Sequence, residues 1–192
     1  MGDSEAGLRE RLVDVGAELV AAEGLQALTL REIARRAGVS HGAPRRYFPT
    51  HRELLSAIAR RGFTELAERV GRAEEESGPD PRARLAALAR AYLRFAVEQH
   101  GMHELMFRHD LLESGHLGLR EHSLPLFGRL VELVARVRPG ADARLVGGAL
   151  WANLHGVGRL WGWGGLQLAV GTDDFERMVD TVLAVYAGSD GE

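Results

Sequence analysis

Apolar residues recur at helical spacing along almost the whole of this chain, and that pattern removes most folds from consideration. Leu8, Leu12, Val15 and Leu19 lie on one face of a first helix. Leu55, Ile58, Phe63, Leu66 and Val70 continue the period over a longer span. Leu85, Leu88 and Tyr92, then Leu126, Leu130 and Val134, then Phe175, Val179, Val182 and Tyr186 repeat it. No stretch sustains strand alternation, and no Asn-Gly or Asp-Gly step separates two such runs. The expectation is an all-α protein. Its 192 residues suffice for one large domain, or for a small domain joined to a larger one.

Composition narrows the function classes. With 45% apolar and 27% charged residues the chain is too hydrophobic to be disordered. The longest uncharged run, Leu145 to Gly158, is 14 residues, against the roughly 18 that a membrane span needs. The first residues, Met1-Gly-Asp-Ser-Glu, lack the basic start and apolar run of a secretory leader. Ala6 stands where a myristoylation signal wants Ser or Thr. The absence of cysteine excludes disulfides, thiolate zinc sites and thiol catalysis. The expected setting is the cytoplasm, with no membrane partner.

Net charge is −3, but it is unevenly spread. All 24 basic residues are Arg, which makes Arg content by itself a weak signal. Residues 31–61 nevertheless hold eight: Arg31, Arg35, Arg36, Arg45, Arg46, Arg52, Arg60 and Arg61. Only Glu32 and Glu53 oppose them there, so one short segment is positive on an acidic protein. That is the electrostatic footprint of nucleic-acid binding.

The same segment carries the sharpest local signals. Thr29-Leu-Arg-Glu32 and Thr50-His-Arg-Glu53 are capping boxes. Between them, Leu30, Ile33, Ala34 and Ala37 form an apolar face. Gly38 supplies a left-handed residue to end the helix, Val39 plugs the angle, and Ser40 is expected to cap the next helix. Small Ala34 lets two helices cross closely. This is the design of a helix-turn-helix, whose second helix enters the major groove. Asp80-Pro81 marks another helix start, and Glu74 to Pro81 the expected loop before it.

The segment resembles the DNA-binding domain of TetR-family transcriptional regulators. The resemblance rests on Ala17–Leu25 ending in Glu-Gly, on T-L-R-E-I-A-R-R-A-G-V-S, and on Tyr47-Phe48 before a capped helix with Glu53-Leu54-Leu55. It is close over about residues 8 to 60. Trp151-Ala-Asn-Leu-His155-Gly156 further resembles a Trp-x-x-x-His-Gly motif of some members. The family implies two domains here: a helix-turn-helix domain over 1–60 and a helical effector-binding and dimerisation domain over 61–192. It implies DNA contacts from Thr29, Arg31, Ser40, His41, Gly42, Ala43, Arg45, Arg46, Tyr47 and His51. Two departures stand out: Pro44-Arg45 replaces a common Leu-Tyr pair, and His51 a common Lys. Arg45 can grip guanine O6 and N7, which leans operator preference toward G·C.

The resemblance also implies a homodimer built from the last two long helices. Gly148, Ala152 and Gly156, with Phe175, Val179, Val182 and Tyr186, are the candidate interface; the plainer reading of the glycines is an irregular loop. Met102, Met106, Phe107, Trp151, Leu154, His155 and Trp161 are candidate effector contacts, with plain core as the plainer reading. His100, His103, Glu104 and His109, near Asp110, raise a metal-sensor or metalloenzyme alternative, although Gly101 is expected to break that helix. No nucleophile elbow or dinucleotide fingerprint is present. The expectation is therefore a non-enzymatic regulator, most simply a repressor released from an inverted-repeat operator on double-stranded DNA by a small, mostly apolar effector. A same-fold activator or ligand-independent regulator is the alternative. No cofactor and no metal are expected.

Overall fold

The computed structural model describes residues 2–114 and 117–187. Among them are eleven α-helices and no strand. In chain order they are α1 (Gly2–Glu23), α2 (Leu30–Arg36), α3 (Pro44–Tyr47), α4 (His51–Glu76), α5 (Pro81–Glu98), α6 (His100–Met106), α7 (His109–Leu112), α8 (Arg120–Val137), α9 (Ala143–Gly162), α10 (Gly165–Val170) and α11 (Phe175–Ala187). They form two compact units. The first comprises residues 1–64 and 99–122, the second residues 65–98 and 123–192. Residue 60, where the sequence suggests a boundary, lies inside α4.

In the first unit α1 packs against α2, α3 and α6. Its core holds Leu12, Leu19, Ile33, Phe48, Leu54 and Ile58, all essentially inaccessible to water. The sequence expects Gly101 to break the helix around it, but it lies inside α6. The reason is steric: a Cβ there would stand 2.5 Å from the Val20 carbonyl oxygen, so its bare backbone is what lets α6 lie on α1.

In the second unit α5 lies along α9, and α11 covers both. Leu85, Ala89, Leu93, Leu150, Leu154 and Val179 fill the space between them. The contact is tight because Gly158 faces Ala96, where an added Cβ would come within 2.8 Å of the alanine's own. Arg90 and Arg94 of α5 tie down α11: Arg94 reaches Glu176 at 2.6 Å, and Arg90 bonds both Glu176 and Asp180.

Several boundaries differ from those the sequence suggests. The run expected to be a loop from Glu74 is helical to Glu76, because Arg129 bonds the buried Glu74 carboxylate at 2.7 Å and gives the last turn a partner. Asp80 then caps α5 through the Ala83 N–H, as its spacing predicts. The glycine-rich stretch after Gly156 is helical too: α9 continues to Gly162, and α10 follows between left-handed Gly164 and Gly171.

Candidate nucleic-acid interface

The reading head is assembled by caps and a glycine turn. The Thr29 hydroxyl accepts from the Glu32 N–H at 3.2 Å and starts α2. Gly38, at φ 67°, ends it, and the Val39 N–H returns to the Ala34 carbonyl at 3.0 Å. Two details differ from the sequence reading. Ser40 does not cap α3 with its side chain. Residues 40–43 form a turn in which the Ala43 N–H bonds the Ser40 carbonyl at 2.9 Å, and α3 begins at Pro44. The Arg46 N–H bonds the Ala43 carbonyl at 3.1 Å, so the first turn closes on the backbone without a side-chain cap. Glu32 also does not reach back to close its capping box, because Arg35 and Arg36 take its carboxylate instead, at 2.9 and 2.8 Å.

Pro44 and Phe48 are buried and anchor α3 at both ends. What lies between them faces outward. Thr29, Arg31, Ser40, His41, Gly42, Arg45 and Arg46 are all exposed, with Ala43 and Tyr47 half-buried. His51 is exposed as a residue, yet its Nε2 meets the Leu28 carbonyl at 2.6 Å. That bond pins the start of α4 to the turn before α2.

Of the eight arginines in residues 31–61, five are already engaged. Arg35 and Arg36 bond Glu32, and Arg36 also bonds Glu23. Arg61 pairs with Asp14, Arg52 lies 3.8 Å from Asp110, and Arg60 donates to the Leu117 carbonyl at 3.2 Å. Arg31, Arg45 and Arg46 have no ion pair or hydrogen bond among the described residues. Glu23, Asp14 and Asp110 thus answer part of the positive charge read from the sequence, and the arginines without a partner among the described residues sit on α2 and α3.

The metal alternative fails on geometry: among the described residues no group of three or more His, Asp or Glu side chains could hold an ion. His103 is buried and stacks on Phe107, whereas His109 points out beside Glu113 at 3.4 Å. The candidate effector residues divide between the units. Met102 and Met106 are buried in the first, filling the place a side chain at residue 62 would occupy, and Phe107 meets Phe63 edge-on at 5.5 Å. In the second, Leu154 is core, Trp161 packs on Phe175, and Trp151 is 38% exposed beside Phe127. The Tyr92 hydroxyl and His155 Nδ1 are hydrogen-bonded at 3.0 Å. Burial, and then the charge of Arg159, hold the His155 pKa below its ordinary value.

The candidate dimer residues need correction. Val179 and Val182 are buried within their own chain, whereas Phe175 packs on Trp161 and stays half-buried. Gly148 and Gly156 do face open space: a Cβ at either would touch nothing within 4 Å. Beside them Leu145 is 72% exposed, Ala149 and Ala152 are exposed, and α11 adds Val185 at 69%. Leu145 and Val185 were missed because helical period marks an apolar face without saying which of two faces turns inward.

A helix-turn-helix that offers unengaged arginines from its second helix, within an all-α chain, defines a DNA-binding regulator. Residues 12–58 match the family described as bacterial regulatory proteins, tetR family, and residues 85–184 match the tetracyclin repressor-like C-terminal domain. The chain belongs to the tetR family and is a DNA-binding transcriptional regulator. It is 31% identical over 154 residues to the HTH-type transcriptional regulator BetI of Serratia proteamaculans, covering 78% of each chain. It is 38% identical over 86 residues to the HTH-type transcriptional repressor KstR2 of Rhodococcus jostii, covering 44% of this chain and 41% of that one. A protein of unknown function from Rhodococcus sp. RHA1 has the same fold, with a TM-score of 0.75 at 28% identity over 94% of this chain and 93% of that one.

Proposed function

We propose that this regulator is a repressor that binds an inverted-repeat operator as a homodimer and leaves it when a small effector binds. One observation carries the reading: Arg45 and Arg46 are exposed and without partners among the described residues, on a helix anchored at both ends by Pro44 and Phe48. Such a helix presents two guanidiniums to base edges or phosphates without first breaking an ion pair. Arg31, Thr29 and the turn at 40–43 lie beside it in sequence and supply phosphate contacts. Residues 1–60 act as the reading domain and residues 61–192 as the effector and dimerisation domain. A regulator that acts on the chromosome works in the cytoplasm of a bacterium, and that is the setting proposed for this chain.

The exposed stripe of Leu145, Ala149, Ala152 and Val185 supports the dimer, because a single copy leaves these side chains in water. Two-fold symmetry then calls for half-sites about one helical turn apart or somewhat more. The effector needs only a higher affinity for the dimer whose heads are wrongly spaced; no further coupling is required. The repressor sign is supported by the name of the Rhodococcus jostii relative.

Selection of bound sequences from a random DNA pool provides the operator, and Arg45→Ala and Arg46→Ala test the reading. Each is expected to weaken binding by about 1–3 kcal/mol if it grips a base, with helicity and dimerisation intact. Unchanged affinity in both would overturn the assignment of α3.

A further inference from the structure

We propose that Trp151, Tyr92 and His155 form an acid-sensitive latch between α9 and α5, closed while His155 is neutral and opened when it takes up a proton. The opened latch loosens α9, and with it the outward face assigned to the dimer. That consequence rests on the dimer reading given above; the latch itself does not.

Trp151 and His155 stand one helical turn apart on α9, so their side chains reach the same point on α5. That point is the hydroxyl of the buried Tyr92. An indole N–H can only donate, so the Tyr92 oxygen accepts from Trp151. The hydroxyl proton is then directed to His155 Nδ1, 3.0 Å away. This selects the neutral tautomer whose proton is on Nε2. Burial keeps the Tyr92 hydroxyl from ionising, so it remains the donor. A proton added to His155 goes to Nδ1, the atom that the hydroxyl already holds. Two N–H groups then aim at one oxygen, and Tyr92 has to turn its own proton elsewhere in a buried place.

The charge that bears on His155 is a like one, Arg159, one turn on in α9. From α5 the titratable group is Tyr92 itself, and the α11 acids Glu176 and Asp180 are engaged by Arg90 and Arg94. Residues 165–170 of α10 carry no charge, and α8 brings the Phe127 ring to Trp151 with Arg144 over it. Gly147, Gly148, Gly156 and Gly158 lie inside α9, and each favours a helix less than alanine would. Such a helix keeps its shape by packing on α5, where Gly158 meets Ala96 and His155 meets Tyr92. Ala152 and Gly156 of the outward face follow Trp151 and His155 directly in the chain, so a turn that slackens at the latch slackens there too.

The test is magnetic resonance of the full chain with isotope-labelled histidine, the His155 signals being those lost in His155→Gln. Near neutral pH the nitrogen shifts are expected to place the His155 proton on Nε2. Tyr92→Phe keeps the ring and removes the donor. It is expected to raise the His155 titration midpoint by at least about one pH unit, a tenfold gain in proton affinity, which a merely structural tyrosine would not do. If Tyr92→Phe does not fold, Trp151→Phe takes its place. It is also expected to raise the midpoint, because the Tyr92 oxygen can then accept from the imidazolium. A proton on Nδ1, or an unmoved midpoint in the folded variant, overturns the latch. In sedimentation the wild-type dimer is expected to weaken at least about tenfold from neutral pH to about pH 5, and His155→Gln far less, since its Oε1 accepts from Tyr92 at either pH. A dimer equally tight at both overturns the link to the outward face of α9. A chain that is monomeric at neutral pH overturns the dimer reading and that link together, while the tautomer and the midpoint still decide the latch.

Discussion

Glu32 shows how one side chain sets what its neighbours can do. Hydrogen bonds from Arg35, then Arg36, hold its carboxyl at about 2, well below the usual carboxylate range. A lowered carboxyl pKa stabilises the fold above the unfolded value and loses that contribution as pH falls toward the folded one. The Glu32 contribution should therefore fall progressively as pH drops from about 4.5, the ordinary value, toward 2. Glu32→Gln should lower the unfolding temperature at neutral pH and flatten its fall across that range, as thermal unfolding followed by helical ellipticity would show. His155 follows the same rule from the other side. Its pKa is lowered, so the unfolded chain takes up the proton more readily. Its contribution is complete above the ordinary histidine range and is lost as pH drops below it. Between pH 7 and pH 5 the unfolding temperature should fall more steeply in the wild type than in His155→Gln, as scanning calorimetry would show. Equal slopes would mean that His155 does not titrate with folding.

At the scale of elements, helix contacts are set by where side chains are missing. Gly101→Ala would drive a methyl against the Val20 carbonyl, and Gly158→Ala would drive one against Ala96. Each should destabilise by about 1–3 kcal/mol, because packed backbone cannot step aside as a flexible side chain can. Gly71 lies in α4 with nothing near its would-be Cβ. Gly71→Ala should stabilise by about 0.5–1 kcal/mol, through lower backbone entropy in the unfolded chain and better helix propensity. Denaturant midpoints measure all three, and the opposite signs are the point of the comparison. From composition the glycines look alike; only the neighbour across the helix contact tells them apart.

For the whole molecule, the exposed stripe on α9 and α11 makes a prediction about assembly. If two copies meet on this stripe, Ala152→Arg should yield monomers in light scattering, since a guanidinium would then sit between two small-residue faces. A dimer that persists would move the interface off α9. Operator binding should weaken with it, because a single reading head covers one half-site and loses the effective concentration that linkage supplies.

The long helices, the caps at Thr29, Thr50 and Asp80 and the left-handed Gly38 were legible in the residue order. Each is decided by atoms within four or five residues, so chain sequence carries the whole cause. The resemblance singled out Arg31, Arg45 and Arg46, but what engages the other arginines of the segment was not legible. Asp14 and Asp110, which engage Arg61 and Arg52, are about fifty residues away in sequence. Nor was it legible that Val179 turns inward while Val185 turns outward, or that Gly101 continues a helix instead of ending one. Those outcomes depend on which surface each helix meets, and that partner is chosen when distant segments pack together to remove apolar area from water.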